Sequence, residues 1–256
     1  MDDKEWWVTN HPYDFILGRY KDCISYLNNS LRESGTLVSL PKKLTDKELE
    51  IFSGLLGTET IEGLFILNAL RQIENIKGDV AEFGVAQGAT STLIANTIFN
   101  QFNDKKLYLF DSFSGLPKPS EEDELKDDIF NLGDMAAYEG TMSCHPNECI
   151  YRLQRSNLAN ERVHIVPGFI EDTIDNLSNQ ISFAFVDFDF YTPIKLALET
   201  LHGKLSVGGI IIVDDYDFFS TGVKKAVSEF LEDKDDYDFL VPDKSMGNFC
   251  LLERKV

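Results

Sequence analysis

The chain has 256 residues, 43% of them hydrophobic, and sets 24 basic side chains against 43 acidic ones for a formal net charge of -19. That length and apolar content suit one large domain, or one domain with an N-terminal extension. The acidic excess argues against nucleic acid or an anionic membrane surface as partner, since both are bound through Lys and Arg.

The opening MDDKEWWVTN has no basic stretch leading into an apolar one, and no apolar run approaches the roughly 18 residues of a membrane span. A soluble cytoplasmic protein is expected. Trp6 and Trp7 form an aromatic pair that fits a lid over an acceptor or a packing surface, and they make self-association as a homodimer an expectation. Residues 1 to about 75 show helical patterns and no strand alternation. They include YDFILGRYKDCISYLNNSL and TETIEGLFILNALRQIENI, where Ile61, Leu64, Phe65, Leu67 and Leu70 recur at helical spacing. This segment, 1–75, reads as a helical cap ahead of a domain over 76–256.

From Gly78 the texture changes to short apolar runs separated by amphipathic segments: DVAEFG, KLYLFD, VHIVPG, SFAFVD and GIIIVD. That alternation predicts a parallel sheet in an α/β fold. A long connector from about Asp111 to Ala137 contains SEEDELKDD. Such acidic runs are usually solvated, although long loops in compact domains also serve as lids. SCHPNEC groups Cys144, His145 and Cys149, but no second Cys/His pair stands at a metal-ligand spacing, so His145-Pro146 reads as a helix start. With Cys23 and Cys250, the cysteines are expected as reduced thiols. Thr192-Pro193 predicts another helix start, with Ile194, Leu198 and Leu201 on one face. After a helix around GVKKAVSEFL, the runs DFLVP and NFCLLER are joined by a short connector and predict an antiparallel edge hairpin, for seven strands in all.

Two strands end in pairs of acids, Asp187 and Asp189 in FAFVDFDFY and Asp214 and Asp215 in GGIIIVDDYDFF. Crowded carboxylates repel unless a cation or shared protons offset them, which points to a metal site. GDVAEFGVAQGATS follows a strand and opens a helix, with Gly84 and Gly88 allowing a tight turn. It lacks the middle glycine of GxGxxG, and Glu82 would repel a phosphate. Asp111 ends the next strand, where a ribose-binding carboxylate falls. A turn-forming Asp is the plainer account of that residue alone. Together these features favour an adenosine ligand bearing positive charge, and S-adenosylmethionine fits.

The ordered motifs GDVAEFGVAQGATS, FDSFSGLP, VPGFIEDTI, VDFDFYTPIKLALETL and LSVGGIIIVDDYDFFSTGVKKAVSEF resemble those of the macrocin O-methyltransferase (TylF/MycF) type family. Ala86 and Gln87 stand where many relatives carry a Trp and a basic residue. The resemblance implies a Rossmann-like methyltransferase fold and S-adenosylmethionine as methyl donor. It also implies a divalent metal, Mg2+ with Mn2+ or Ca2+ as substitutes, and a small hydroxylated acceptor such as the sugar of a glycoside or a catechol-like diol. It assigns Asp187, Asp214 and Asp215 to the metal and leaves Asp189 as the base. Cofactor contacts are implied for Glu82, Phe83, Gly84, Val85, Gly88, Thr90, Asp111, Ser112, Phe169 and Asp187.

Plainer roles stand beside these. Asp214 or Asp215 could cap the following helix, Asp189 could pair with Lys195, Phe169 could be a core residue, and His164 reads as an ordinary strand position. A nucleotide-dependent oxidoreductase or epimerase is the rival enzyme class, opposed by the missing GxGxxG. A non-catalytic S-adenosylmethionine-binding protein of the same fold is the other rival, opposed by the full set of four acids.

Overall fold

A computed structural model describes residues 46–177 and 179–255. Trp6, Trp7, Cys23 and the first helical pattern lie outside that range. Two helices come first, α1 (Asp46–Ser53) and α2 (Thr60–Gln72). Then β1 (Asp79–Phe83), α3 (Ala89–Gln101) and β2 (Leu107–Asp111) follow. After the long connector come α4 (Pro146–Arg155), β3 (Val163–Pro167), a single turn α5 (Ile170–Thr173) and β4 (Ile181–Val186). The chain finishes with α6 (Tyr191–Lys204), β5 (Leu205–Val213), α7 (Thr221–Glu232), β6 (Tyr237–Leu240) and β7 (Cys250–Arg254).

The seven strands form one sheet in the order β3-β2-β1-β4-β5-β7-β6. β1 to β5 pair in parallel, whereas β7 lies antiparallel to both β5 and β6. The expected hairpin is present, and it enters the sheet with its second strand innermost. The physical reason lies in composition: CLLER has Cys250 and Leu252 buried against β5, whereas β6 leaves Asp238 and Phe239 exposed and suits an edge.

Side-chain alternation sorts the sheet's two faces. Phe183 and Phe185 of β4 and Ile210 and Ile212 of β5 face α1 to α4, packing with Leu64, Leu93 and Leu153. Ala184, Val186, Ile211 and Val213 face α5 to α7, packing with Ile194, Leu198, Leu201 and Val227. Ile194, Leu198 and Leu201 thus share a buried face as their spacing predicts. α2 is more enclosed than an amphipathic surface helix, because every residue from Glu62 to Leu70 is buried.

Two helix starts differ in their details. α4 begins as expected, with Pro146 in its first turn and His145 Nδ1 accepting from Asn147 N at 3.1 Å. α6 begins ahead of Thr192-Pro193: its N-cap is Phe190, without a side-chain cap. The first free amide, Tyr191 N, is instead satisfied from a distance by Asp123 Oδ1 at 2.8 Å.

Candidate active site

Register decides where the acids meet. Phe83 pairs with Phe110 and with Val186, and Val186 pairs with Val213, so β2, β1, β4 and β5 end level. The next residue of each turn is locked to its neighbour's strand end: Gly84 N donates to Phe110 O, Asp187 N to Phe83 O and Asp214 N to Val186 O. Gly84, Asp111, Asp187 and Asp214 therefore stand in a row at the carboxyl edge, where open parallel sheets bind ligands.

The turn after β1 is built for close approach. Gly84 has φ +90, and a Cβ there would lie 1.8 Å from Asp187 O, so only glycine lets the two turns touch. Gly88 has φ +77 and caps α3, and a Cβ on it would strike Cys149 Sγ at 2.7 Å. Ala86, where GxGxxG would place its middle glycine, nevertheless has φ +44. Asp111 stabilises that left-handed residue: its Oδ2 accepts from Val85 N and Ala86 N at 2.7 and 2.8 Å, and its Oδ1 from Phe113 N at 2.6 Å. Three of the carboxylate's roughly four lone-pair sites are thereby used. Closing the loop is its first role, and one acceptor site is left for a ligand. Arg152 secures the loop from outside, donating to Gln87 O at 3.1 Å and to Gly54 O at 3.3 Å.

A cavity of about 640 Å³ opens over this edge. Of the sequence-predicted residues it is lined by Glu82, Gly84, Val85, Thr90, Asp111, Ser112, Phe169, Asp187, Asp189, Asp214 and Asp215. Phe83 and Gly88 do not line it; Phe83 is fully buried and stacks on Phe110. Thr90 Oγ1 meets Thr58 Oγ1 at 2.5 Å, and Ser112 Oγ donates to Gly115 O at 2.9 Å. His164 is the expected strand residue, stacked on Tyr108.

The acids divide unevenly. One oxygen each from Asp187, Asp189 and Asp215 lies within 4.8 Å of the others. Asp189 and Asp215 reach that arrangement through left-handed backbone, φ 61 and 54, a conformation Asp tolerates better than most residues. Asp214 lies just outside the trio, with its Oδ1 accepting from Asp215 N at 2.7 Å. Burial pushes the carboxyls of Asp187, Asp189 and Asp214 well above the ordinary range, and neighbouring carboxylates push them further. Asp215 is raised as well, by burial. None of the four forms a salt bridge among the described residues.

The plainer roles for these acids fail on geometry. Ser220 caps α7 by accepting from Gly222 N at 2.8 Å, and Lys195 pairs with Glu229 at 2.7 Å. Glu82 is fully buried with neither carboxyl oxygen in a hydrogen bond. Burial raises it to about 8, against a lowering by the nearby Ser91 hydroxyl.

Two contributors escape a reading of local pattern. Glu62, 2% exposed on α2, is held well above the ordinary carboxyl range by its burial and by the neighbouring Asp187 carboxylate, so it belongs electrostatically with the acids. Its only sequence signal is an acid among the apolar positions of TIEGLFIL. Asp123, inside the acidic connector, accepts from Ser120 N, Ser120 Oγ, Tyr191 N and Ser220 Oγ at 2.7 to 2.9 Å. Glu124 N donates to Thr221 Oγ1 at 2.9 Å and Lys126 N to Phe219 O at 3.0 Å. The connector is thus pinned against the turns that follow β4 and β5, and its Leu116, Lys118, Asp123 and Ile129 line the cavity.

This strand order, with one antiparallel strand and a ligand cavity at the carboxyl edge, defines a Rossmann-like methyltransferase fold. The O-methyltransferase NovP shares it with a TM-score of 0.67 and 23% identity, over 77% of this chain and 81% of that one. The calicheamicin methyltransferase CalS11 does so with a TM-score of 0.61 and 20% identity, over 91% of each chain.

The chain belongs to the macrocin O-methyltransferase (TylF) family, whose model matches residues 54–240. It is similar to the demethyldecarbamoylnovobiocin O-methyltransferase of Streptomyces niveus, 28% identical over 193 residues and 72% of each protein. It is also similar to the 8-demethyl-8-(2,3-dimethoxy-alpha-L-rhamnosyl)-tetracenomycin-C 4'-O-methyltransferase of Streptomyces olivaceus, 26% identical over 146 residues and 56% of this chain. The match spans about half of that relative's length, 54%. Among the described residues, no helix is long and apolar enough to cross a membrane.

Proposed function

We propose that the chain is an S-adenosylmethionine-dependent, divalent-metal-dependent O-methyltransferase acting on a hydroxyl of a small molecule. The observation that carries this reading is the level row of buried, uncompensated carboxyls beside a glycine turn that leaves room for a ligand. Both implied ligands suit the residues present. Glu82 offers two unpartnered buried oxygens to a cationic ligand and would repel a phosphate, and Asp111 keeps one acceptor site for a ribose hydroxyl. Asp187, Asp214 and Asp215 supply hard oxygen donors of the kind Mg2+, Mn2+ and Ca2+ take. When bound, S-adenosylmethionine supplies the methyl group and the cation supplies positive charge that lowers the pKa of a nearby hydroxyl.

The chain's own residues do the rest. Asp189, held left-handed at the cavity wall, accepts the proton of the acceptor hydroxyl at its carboxylate. Gly84 and the Asp111-braced loop orient the donor, and the pinned connector keeps water from the acceptor side. The acceptor is a sugar hydroxyl of a glycoside or a catechol-like diol. The name of the Streptomyces olivaceus relative, which specifies a rhamnosyl compound, supports the first, and the net charge of -19 is in keeping with a partner other than nucleic acid.

The test is methyl transfer from labelled S-adenosylmethionine to a panel of glycosides and diols, before and after chelation and after Mg2+ is restored. Turnover that survives exhaustive chelation refutes the metal. A thermal shift with NAD but none with S-adenosylhomocysteine refutes the methyl-donor site.

A further inference from the structure

α4 backs the glycine turn that follows β1. Within Pro146–Arg155 only Cys149 and Leu153 are buried. Cys149 is packed so closely beneath the turn that a Cβ on Gly88 would lie 2.7 Å from its Sγ. Arg152 follows three residues later, on the same side of the helix, and meets the same turn. Its Nε donates to Gln87 O at 3.1 Å, and its Nη1 reaches across to Gly54 O at 3.3 Å.

Gly54 begins the connector between α1 and α2, whose Leu56 and Gly57 line the cavity together with Gln87. The middle of that connector has little support of its own. Leu56 is 58% exposed, and nothing lies within 4 Å of where a Cβ on Gly57 would stand. Its far end is held by the contact of Thr58 Oγ1 with Thr90 Oγ1 at 2.5 Å. Arg152 has no carboxylate partner among the described residues, so its charge strengthens the two bonds to carbonyl oxygens. The rigid fork of a guanidinium suits two acceptors on separate segments better than the point charge of an ammonium does.

We propose that Arg152 is a positioning residue for the methyl donor: reaching from α4, it ties the glycine turn to the α1–α2 connector and so fixes the cavity wall formed by Gln87, Leu56 and Gly57. Arg152 does not line the cavity, and it acts through the two carbonyls rather than on the ligand. A ligand that meets a wall already in place loses less free energy to ordering it. The proposal rests on the reading of the turn after β1 as the S-adenosylmethionine site.

The experiment is calorimetric titration of the full chain with S-adenosylhomocysteine, alongside thermal denaturation of the same samples without ligand. Arg152→Met should bind S-adenosylhomocysteine about 10- to 100-fold more weakly per folded molecule, the scale of loss expected when binding groups shift by about 1 Å. Arg152→Lys, which keeps the charge and can still reach one carbonyl, should recover part of that loss. Arg152→Gln, too short to span both carbonyls, takes the place of methionine if that variant does not fold. Wild-type affinity in the uncharged variant, with only the denaturation midpoint lowered, overturns the proposal by making Arg152 a brace for the fold alone. A lysine variant that binds no better than the uncharged one overturns it too. A wild-type chain that binds no S-adenosylhomocysteine refutes the donor site itself, and the proposal falls with it.

Discussion

The two edges of the central sheet treat buried polar groups in opposite ways. At the amino edge, Lys105 Nζ is 2.7 Å from Ile76 O, 2.7 Å from Gly78 O and 2.9 Å from Ser182 Oγ, so all three of its protons find acceptors. At the carboxyl edge, Asp187, Asp189, Asp214 and Asp215 crowd together with no basic side chain paired to them among the described residues, and Glu82 keeps two orphaned oxygens. Buried polar groups in folded proteins are normally satisfied, because an orphan forfeits its hydration. The satisfied edge is the one that holds the fold; the unsatisfied edge has the character of a site completed by ligands.

The contrast breaks most sharply at the acids. Asp187→Ala or Asp215→Ala should abolish metal-dependent turnover while leaving S-adenosylhomocysteine affinity nearly intact; unchanged rates in both variants would remove the metal assignment. Asp189→Asn should keep the metal and lose about 100-fold or more in kcat, the usual effect of deleting a general base. Metal loss in that variant, measured by Mn2+ titration, would make Asp189 a ligand, as its place in the trio allows.

At the amino edge the effect should fall on stability alone. Lys105→Met strands three acceptors and should cost about 2 to 3 kcal/mol, seen as a lower denaturation midpoint with kcat/KM per folded molecule unchanged. Asp123→Ala falls between the edges, because Asp123 is both satisfied and at the cavity. It should raise KM for the acceptor more than for S-adenosylmethionine, together with a stability loss of about 1 to 2 kcal/mol.

The last effect concerns pH. Glu82 is raised in the folded chain to about 8, so the folded state holds a proton that the unfolded state has released. Its protonation favours folding relative to the ionised form, and stability of the ligand-free chain should fall as pH rises from about 5 through 8. Glu82→Gln should flatten that part of the curve; a profile identical to wild type would show that Glu82 does not titrate there.

Much of the architecture was legible because it rests on local regularities. Apolar runs ending in Gly84, Asp111, Asp187 and Asp214 marked strands of a parallel sheet, and their acids were visible as candidates. Other features were illegible because they depend on remote partners. The start of α6 was misplaced at Thr192-Pro193 because its cap comes from Asp123, 68 residues away. The acidic connector looked solvated, since nothing in SEEDELKDD separates a buried Asp123 from its exposed neighbours. Asp111 looked like a ribose ligand, yet most of its capacity goes to bracing a loop whose middle glycine is missing.

The amino-acid sequence by itself determined the α/β class, the closing hairpin and the acids at the strand ends, because two-residue and 3.6-residue periodicities need only neighbouring positions. Tertiary structure alone decided that Asp187, Asp189 and Asp215 converge, that Glu62 of α2 is buried within electrostatic reach of the acids, and that Asp123 pins the connector. Those relations depend on strand register, on left-handed backbone at Asp189 and Asp215, and on the packing of α2 against the sheet. None of these leaves a periodic trace along the chain.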